Sequence, residues 1–321
     1  MSLNYSFNLL FYIMLQVKNI SFSYTTEITI SSVVFTLAKG QNLAVIGESG
    51  CGKSTLLKLI YGLHDLNQGE IFWNETQVLG PKFHLVPGMP FMKYLAQDFD
   101  LMPFITVAEN VGKYLSNFYP EEKKARIAEL LEVVEMSDFA TTKVKFLSGG
   151  QMQRVALAKV LALEPEVLLL DEPFSHIDNF RKNSLRRRIF SYLKSKNITC
   201  VLATHDIHDS LSFADEILVM KNGAIEAKGT PKAVFQNPSS FYTASLFGDV
   251  SVLKMNGTTK FIYPYQFQLV PNSGIQVEVV QSYFKGSHFL VEGKFENQAV
   301  FFESLMELSC GKVVFLEVKE E

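Results

Sequence analysis

A glycine-rich segment followed by lysine and serine is the first group of residues in this chain that could do chemistry. Residues 47–55 read GESGCGKST and match the phosphate-binding pattern G-x-x-x-x-G-K-[ST]. The glycines let the backbone curl so that successive N–H groups point at phosphate oxygens. Lys53 supplies a cation for the β- and γ-phosphates, and Ser54 supplies a hydroxyl ligand for Mg²⁺. This phosphate loop predicts a nucleoside triphosphate site made of Gly47, Glu48, Ser49, Gly50, Cys51, Gly52, Lys53, Ser54 and Thr55.

Two acidic residues at the end of an apolar run predict a second reactive group. Residues 167–173 read VLLLDEP, which is typical of a buried strand that delivers its last side chains to the edge of a sheet. Asp171 can hold Mg²⁺, directly or through water, and Glu172 can orient or deprotonate an attacking water. Taken alone, the same run fits equally well a strand that simply ends in solvent.

The LSGGQ segment at residues 147–151 predicts a second anion site. Ser148, followed by Gly149 and Gly150, exposes backbone donors at the positive end of a helix. An ordinary helix cap has the same physics, so the specificity of this segment lies in its sequence and its place between the phosphate loop and the Asp-Glu pair.

The three motifs, in this order, resemble those of the ATP-binding-cassette (ABC) ATPases. The resemblance implies ATP and Mg²⁺ as ligands and a homodimer in which two cassettes pack head to tail. In that dimer, the residues that close over the ATP of the partner subunit are Leu147, Ser148, Gly149, Gly150 and Gln151. The implied catalytic residues are Lys53, Gln97, Glu172 and His205, and the implied Mg²⁺ ligands are Ser54, Gln97 and Asp171.

Four single residues extend the resemblance. Gln97 matches the glutamine that touches Mg²⁺ and the membrane partner, and His205, in LATHD, matches the histidine that contacts the γ-phosphate. Tyr24 lies where the family stacks an aromatic ring on adenine, although an aromatic residue in a strand is more often part of the core. Asp178, in the SHID segment at residues 175–178, matches a dimer contact, with His176 in place of the usual alanine.

The hydrophobic pattern predicts an α/β fold. Continuous apolar runs at residues 43–46, 167–170 and 200–204 are typical of strands buried on both faces of a parallel sheet, with helical periodicity between them. Short β-rich runs separated by Gly, Pro and Asn follow from residue 260. We predict a P-loop NTPase ABC cassette with a mostly parallel sheet core and a helical subdomain, followed by a small all-β OB/TOBE-like barrel. The expected bounds are 1–13 for an N-terminal extension, 14–245 for the ATPase domain, about 98–163 for its helical subdomain, and 246–321 for the barrel.

Composition limits the function classes. The net charge of −3 argues against a nucleic-acid surface, so no nucleic-acid partner is expected. A basic run is interpreted as a solvated helix face: Arg181, Lys182, Arg186, Arg187 and Arg188. The three cysteines are far apart and fit reduced thiols. The apolar stretch at residues 8–17 is too short to span a bilayer.

The C-terminal sequence indicates which class of ABC protein the chain resembles. Residues 229–238, 262–270 and 283–293 resemble importer ATPases with a TOBE-type barrel, of the spermidine/putrescine or iron(III) type. The resemblance implies a motor subunit that couples ATP hydrolysis to solute uptake, peripheral at the cytoplasmic face of the inner membrane. Its implied partners are integral-membrane permease subunits and, indirectly, a solute-binding protein. A soluble ABC ATPase acting on nucleic acid or the ribosome and an exporter ATPase are the alternatives.

Overall fold

The computed structural model describes residues 14–255 and 257–319, and the N-terminal extension predicted at residues 1–13 lies outside the described residues. The chain divides into two compact units between Pro231 and Lys232. No helix among the described residues is long and apolar enough to cross a membrane.

The N-terminal unit contains ten strands and six α-helices among the described residues. The strands are β1 Met14–Phe22, β2 Ile30–Ala38, β3 Asn42–Ile46, β4 Gln68–Trp73, β5 Thr76–Gln77, β6 Met92–Leu95, β7 Val167–Asp171, β8 Thr199–Ala203, β9 Glu216–Lys221 and β10 Ala224–Gly229. The helices are α1 Lys53–Tyr61, α2 Val107–Val111, α3 Pro120–Val133, α4 Gly149–Leu161, α5 Asn179–Ser195 and α6 Ile207–Phe213.

A six-stranded sheet with the order β10-β9-β3-β8-β7-β6 forms the centre of this unit. All neighbouring strands run parallel except β10, which pairs antiparallel with β9. Strand β7 shows why the apolar run is continuous, since Leu168 and Leu170 enter one hydrophobic core and Val167 and Leu169 enter the other. The predicted α/β class with a mostly parallel sheet is confirmed.

A second sheet, which the sequence reading did not predict as a sheet, packs into one of the two cores. Its order is β2-β1-β4-β5, and all of its pairs are antiparallel. The alternating burial of β2 places Val33, Phe35 and Leu37 in the core that also receives α1.

Helices α2, α3 and α4 lie within the range predicted for the helical subdomain. Val107 of α2, Leu130 of α3 and Leu157 of α4 are fully buried in the core that covers one face of the parallel sheet. Thr106 caps α2, because its hydroxyl accepts the N–H of Glu109 while the Glu109 carboxylate accepts the N–H of Thr106.

The C-terminal unit is mainly β-structure. Its elements are helices α7 Pro231–Gln236 and α8 Phe241–Ser245 and strands β11 Ser251–Met255, β12 Thr258–Ile262, β13 Phe267–Val270, β14 Ile275–Phe284, β15 Phe289–Phe295, β16 Gln298–Ser304 and β17 Val313–Val318. A five-stranded antiparallel sheet, β13-β17-β14-β15-β16, shares its core with the β11-β12 hairpin. The predicted small all-β region is confirmed.

The unit boundary differs from the one placed after residue 245. Phe235 of α7 stacks on Tyr263 with a centroid distance of 4.6 Å, and the Tyr263 hydroxyl donates to the carbonyl of Ala244 in α8. These contacts attach both short helices to the β-rich unit. No local pattern indicates these contacts, because they join residues that are far apart along the chain.

Candidate functional site

Three neighbouring strands bring the predicted reactive residues to one edge of the parallel sheet. The phosphate loop follows β3, His205 follows β8, and Asp171 with Glu172 ends β7. These strands lie side by side in the order β3-β8-β7 and run parallel. Because the carboxyl ends of parallel strands meet at the same edge, this edge is the expected ligand crevice.

The phosphate loop has a backbone conformation that requires glycine. Gly50 and Gly52 have φ angles of 82° and 108°, a region that side chains with a Cβ rarely adopt. A Cβ on Gly52 would also lie 2.9 Å from Cδ1 of Ile30. The Lys53 ammonium donates to the carbonyl oxygens of Gly47 and Glu48 at 2.8 and 2.9 Å, so the cation is held inside the loop.

The remaining loop residues differ in exposure. Glu48 and Ser49 are exposed, whereas Cys51 and Thr55 are buried. Burial raises the pKa of the Cys51 thiol above its ordinary value, and the neighbouring Lys53 opposes this only in part. Cys51 therefore stays a neutral thiol beneath the loop.

Ser54 and Asp171 form the candidate metal site. The Ser54 hydroxyl donates to Oδ1 of Asp171 at 3.0 Å, and the Tyr94 hydroxyl donates to Oδ2 of the same carboxylate at 3.2 Å. Asp171 is only 4% exposed. A hydroxyl and a carboxylate are the hard oxygen ligands that Mg²⁺ prefers, so these two side chains fit that ion. Tyr94 was missed by the sequence reading, because nothing in its local pattern connects it with Asp171.

Glu172 and His205 form a direct pair. Nδ1 of His205 lies 2.6 Å from Oε2 of Glu172. Glu172 has a φ of 52°, the left-handed region, and its N–H donates to the carbonyl of Ala203 on β8 at 2.9 Å. Left-handed backbone in a non-glycine residue costs energy and persists where the surrounding structure holds it. The carboxylate is therefore held at the sheet edge by its own backbone and by the neighbouring strand.

The LSGGQ segment begins helix α4 in the predicted manner. The Ser148 hydroxyl accepts the N–H of Gln151 at 3.3 Å, and the Gln151 side chain accepts the N–H of Ser148 at 2.8 Å. Leu147 is buried in the core. A cavity of about 440 Å³ adjoins the segment, and its lining includes Ser148, Gly149, Gly150, Gln151, His176 and Asp178. The LSGGQ segment and Asp178 thus share a surface that is lined by no residue of the phosphate loop.

Tyr24 and Gln97 are the least constrained of the predicted residues. Tyr24 is 52% exposed, so the alternative that it belongs to the core is excluded. Its hydroxyl lies 3.4 Å from Oγ1 of Thr55 and 3.5 Å from Nε2 of His64, and the His64 and Tyr24 rings meet edge to face. Tyr24 therefore stands beside the phosphate loop. Gln97 is exposed, and its side chain makes no hydrogen bond to any described residue.

Arg186 corrects the interpretation of the basic run as a solvated face. The residue is 2% exposed, and its guanidinium donates to Oδ1 of Asp209 at 2.6 Å and to Oδ2 of Asp206. Oδ2 of Asp209 accepts the Thr204 hydroxyl at 2.7 Å. Two members of this network, Thr204 and Asp206, are the residues on either side of His205 in the chain. The sequence did not indicate this network, because the acidic partners of Arg186 lie on a different element. The other arginines of the basic run, Arg181, Arg187 and Arg188, are exposed.

Comparison with known proteins decides the family. Residues 30–175 match the family model described as ABC transporter. An Fe(3+) ions import ATP-binding protein FbpC of Mannheimia succiniciproducens is 35% identical over 263 residues, covering 81% of this chain and 74% of the relative. The chain belongs to the ABC transporter ATP-binding family. Another relative of this ABC protein is the spermidine/putrescine import ATP-binding protein PotA of Legionella pneumophila, 36% identical over 74% of the chain and 65% of the relative.

Solved ABC cassettes share the fold. The dimeric structure of MJ0796, a bacterial ABC transporter cassette, aligns with a TM-score of 0.61 and 28% identity, covering 68% of this chain and 98% of the cassette. The cbiO1 protein of Clostridium perfringens, part of the ABC transporter complex cbiONQ, aligns with a TM-score of 0.61 and 27% identity over 70% of this chain and 91% of that protein. This ABC protein therefore consists of a cassette followed by additional β-structure.

Proposed function

We propose that this protein is the ATP-hydrolysing motor subunit of an ABC importer. The observation that carries the ATPase assignment is the Glu172–His205 pair, 2.6 Å apart, at the ends of the neighbouring strands β7 and β8. Strand β3, which leads into the phosphate loop, lies on the other side of β8. A carboxylate held against a histidine at the edge of a P-loop sheet is suited to activating water for attack on a phosphate. The family membership supports the same conclusion.

The reaction is hydrolysis of the terminal phosphoanhydride of ATP. The Glu172 carboxylate accepts a proton from water, the water oxygen forms a bond to the γ-phosphorus, and the bond from that phosphorus to the bridging oxygen breaks, giving ADP and phosphate. Lys53 and the backbone N–H groups of the phosphate loop stabilise the negative charge on the transferred phosphoryl group. His205 orients the carboxylate, and Tyr24 provides a partly exposed ring beside the loop for the adenine base.

Mg²⁺ would be held by the Ser54 hydroxyl and the Asp171 carboxylate, which already lie 3.0 Å apart. The ion supplies positive charge that neutralises the β- and γ-phosphates. Gln97 is proposed as a further ligand that approaches from its exposed position. Among the described residues, no cluster of three or more His, Cys, Asp or Glu side chains could hold a metal by itself. The substrate phosphates would therefore complete the coordination.

A second copy of the chain would complete the site. The cavity beside the LSGGQ segment has backbone donors at a helix N-terminus but no residue of its own phosphate loop in its lining. We propose a head-to-tail homodimer in which this cavity, with Asp178, faces the ATP on the phosphate loop of the partner. The dimeric cassette of known structure supports this arrangement.

The importer assignment rests on the relatives. Proteins named for import of Fe(3+) ions and of spermidine/putrescine match over most of the chain, and these two cargo types are the proposed substrates of the transporter. The motor would act through a separate integral-membrane permease at the cytoplasmic face of the inner membrane, with a solute-binding protein as an indirect partner.

The Glu172→Gln variant tests the catalytic assignment. Removing the base should lower the rate of ATP hydrolysis by about 100-fold or more while ATP binding persists. The variant should also accumulate as an ATP-bound dimer, measured by size-exclusion chromatography with light scattering. Glu278→Gln, the same change at an exposed position of β14, is the matched control. Hydrolysis by Glu172→Gln at near the rate of the control would remove Glu172 from the catalytic role.

Co-purification tests the transport assignment. The tagged protein is isolated in mild detergent from its native membranes, and the associated proteins are identified by mass spectrometry. Recovery of a multi-span permease is expected. Recovery of ribosomal or DNA-repair proteins alone would contradict the importer assignment and leave the ATPase chemistry intact.

A further inference from the structure

Gln153 connects the LSGGQ helix to the catalytic segment within one subunit. It lies in α4, two residues after the LSGGQ segment, and is 2% exposed. Its amide nitrogen donates to the carbonyl of Glu172 at 2.9 Å and to the hydroxyl of Ser175 at 3.3 Å. Its amide oxygen accepts the backbone N–H of His176 at 3.0 Å. The Gln153 side chain thus bonds to the backbone of Glu172 and to Ser175 and His176 of the SHID segment.

One of these bonds reaches the strained backbone of Glu172. The residue has a φ of 52°, and its carbonyl accepts both the Gln153 amide and the Ser175 hydroxyl, the latter at 3.0 Å. Because left-handed backbone is unfavourable for glutamate, the bonds to its carbonyl help to keep the conformation that aims the carboxylate at His205. The N–H of Ser175 also donates to this carbonyl, at 3.3 Å, so loss of Gln153 removes one of three bonds that it accepts.

A second contact joins the same two segments. A Cβ on Gly150 would lie 2.7 Å from the carbonyl oxygen of His176, so the LSGGQ backbone and the SHID backbone are in direct contact. Helix α4 therefore cannot shift relative to the end of β7 without moving the Gln153 amide and the backbone at residues 172–176. The connection is direct, because Gln153 is buried and uses both ends of its amide.

We infer that Gln153 is a positioning residue that transmits the state of the LSGGQ segment to Glu172 of the same subunit. This inference rests on the proposed function, in which the LSGGQ segment meets the ATP of the partner subunit while Glu172 serves the subunit's own ATP. When the LSGGQ segment closes over the ATP of the partner subunit, Gln153 thereby positions the Glu172 carboxylate at the subunit's own ATP. The consequence is positive cooperativity between the two ATP sites of the dimer.

Two variants separate the bonds. Gln153→Met keeps the approximate length of the side chain and removes all three hydrogen bonds. Gln153→Glu keeps an acceptor for the His176 N–H and removes the donor to Glu172. Gln276→Met, the same change at an exposed position of β14, is the control. Steady-state ATPase kinetics give kcat and the Hill coefficient for ATP. The ATP concentration for half-maximal dimerisation is measured with each variant in the Glu172→Gln background.

The expected result is a kcat about tenfold lower in both variants, since each loses the bond to the Glu172 carbonyl, and a Hill coefficient that falls toward one. The midpoint of dimerisation should stay within about twofold of the parent, because the LSGGQ surface itself is unchanged. Values of kcat and of the Hill coefficient within about twofold of the control would overturn the inference. So would a dimerisation midpoint that shifts as much as kcat, which indicates damage to the LSGGQ helix.

Hydrogen exchange provides a measurement that does not require turnover. The His176 amide should exchange at least about tenfold faster in Gln153→Met and remain protected in Gln153→Glu. Unchanged protection in Gln153→Met would overturn the inference even if the parent hydrolysed no ATP. Absence of hydrolysis in the unsubstituted protein would instead contradict the proposed function. If Gln153→Met does not fold, Gln153→Glu alone decides through kcat and the Hill coefficient.

Discussion

The reactive side chains are constrained to very different degrees. Lys53 and Asp171 are buried and each makes at least two hydrogen bonds, whereas the side chain of His205 is 70% exposed and contacts Glu172. The side chains of Lys53 and Asp171 are therefore held in place without a bound nucleotide. The histidine is accessible from solvent.

Cysteine labelling tests whether the phosphate loop stays closed in solution. Burial raises the pKa of the Cys51 thiol, and Cys200 is fully buried, whereas Cys310 is exposed. At pH 8, iodoacetamide should therefore modify Cys310 at least about tenfold faster than Cys51, since the thiolate is the nucleophile. Peptide mass spectrometry over time measures the three rates, and Cys310→Ser should remove the fast phase. Equal rates at Cys51 and Cys310 would show that the phosphate loop opens readily in solution.

At the scale of elements, a buried ion network attaches α5 to the segment that carries His205. Arg186 of α5 bonds to Asp206 and Asp209, and the Thr204 hydroxyl bonds to Asp209 and accepts the N–H of Asp206. The two residues adjacent to His205 in the chain are thus both fixed. Removing one partner of such a group leaves a buried charge without compensation, which costs more than the intact group contributes.

Arg186→Met should lower the free energy of unfolding by about 3–5 kcal/mol at pH 7. Burial raises the pKa of Asp209 even beside the guanidinium, so its protonated form is favoured in the fold relative to the unfolded chain. The guanidinium lowers the pKa of Asp209, so its removal should raise that pKa further in the variant. The variant should therefore lose more stability than the parent as pH rises, and its deficit should be smaller at pH 5 than at pH 7. Urea unfolding at both pH values measures this.

The adjacent exposed Arg187 supplies the control for this experiment. Arg187→Met should change the free energy of unfolding by less than about 0.5 kcal/mol. A deficit in Arg186→Met that is independent of pH would contradict the role of the Asp209 charge. Arg186→Met combined with Asp209→Leu should be less destabilised than the sum of the single variants, because the unpaired charge is removed.

At the scale of the whole molecule, the chain has separate hydrophobic cores in its two units. The core of the C-terminal unit draws on β11, β12 and all strands of the five-stranded sheet, with Val277, Val291 and Phe302 fully buried. The stacked Phe235 and Tyr263 rings attach α7 to this unit. We propose that the functional domain boundary lies near residue 231 and not at residue 245.

A pair of fragments tests this boundary. The fragment 232–321 should fold independently, with a β-type circular dichroism spectrum and a cooperative thermal transition. The fragment 246–321 lacks Phe235 and Ala244, so its Tm should be lower by several degrees, since an aromatic pair contributes about 0.5–1.5 kcal/mol beyond its buried area. Equal Tm values would favour the boundary at residue 245, and an unfolded longer fragment would contradict the independence of the unit.

The sequence by itself determined the features that depend on local pattern. Glycine, lysine and serine at fixed spacing specified the phosphate loop, and continuous apolar runs specified strands buried on both faces. Strand β14, Ile275–Phe284, lies within the β-rich region predicted from residue 260, because alternation and flanking turn residues are local signals. The Ser148 cap of α4 was likewise readable from adjacent residues.

Only the tertiary structure decided which distant residues meet. The pairing of β8 with β7 places Glu172 against His205, and the pairing of β6 with β7 brings Tyr94 to Asp171. The packing of α4 brings Gln153 to the Glu172 carbonyl. Arg186 looked like part of a solvated basic face because charge along a helix does not reveal a carboxylate on another element. Long-range pairing depends on the folded backbone and not on neighbours in the chain, so these contacts left no pattern in the sequence.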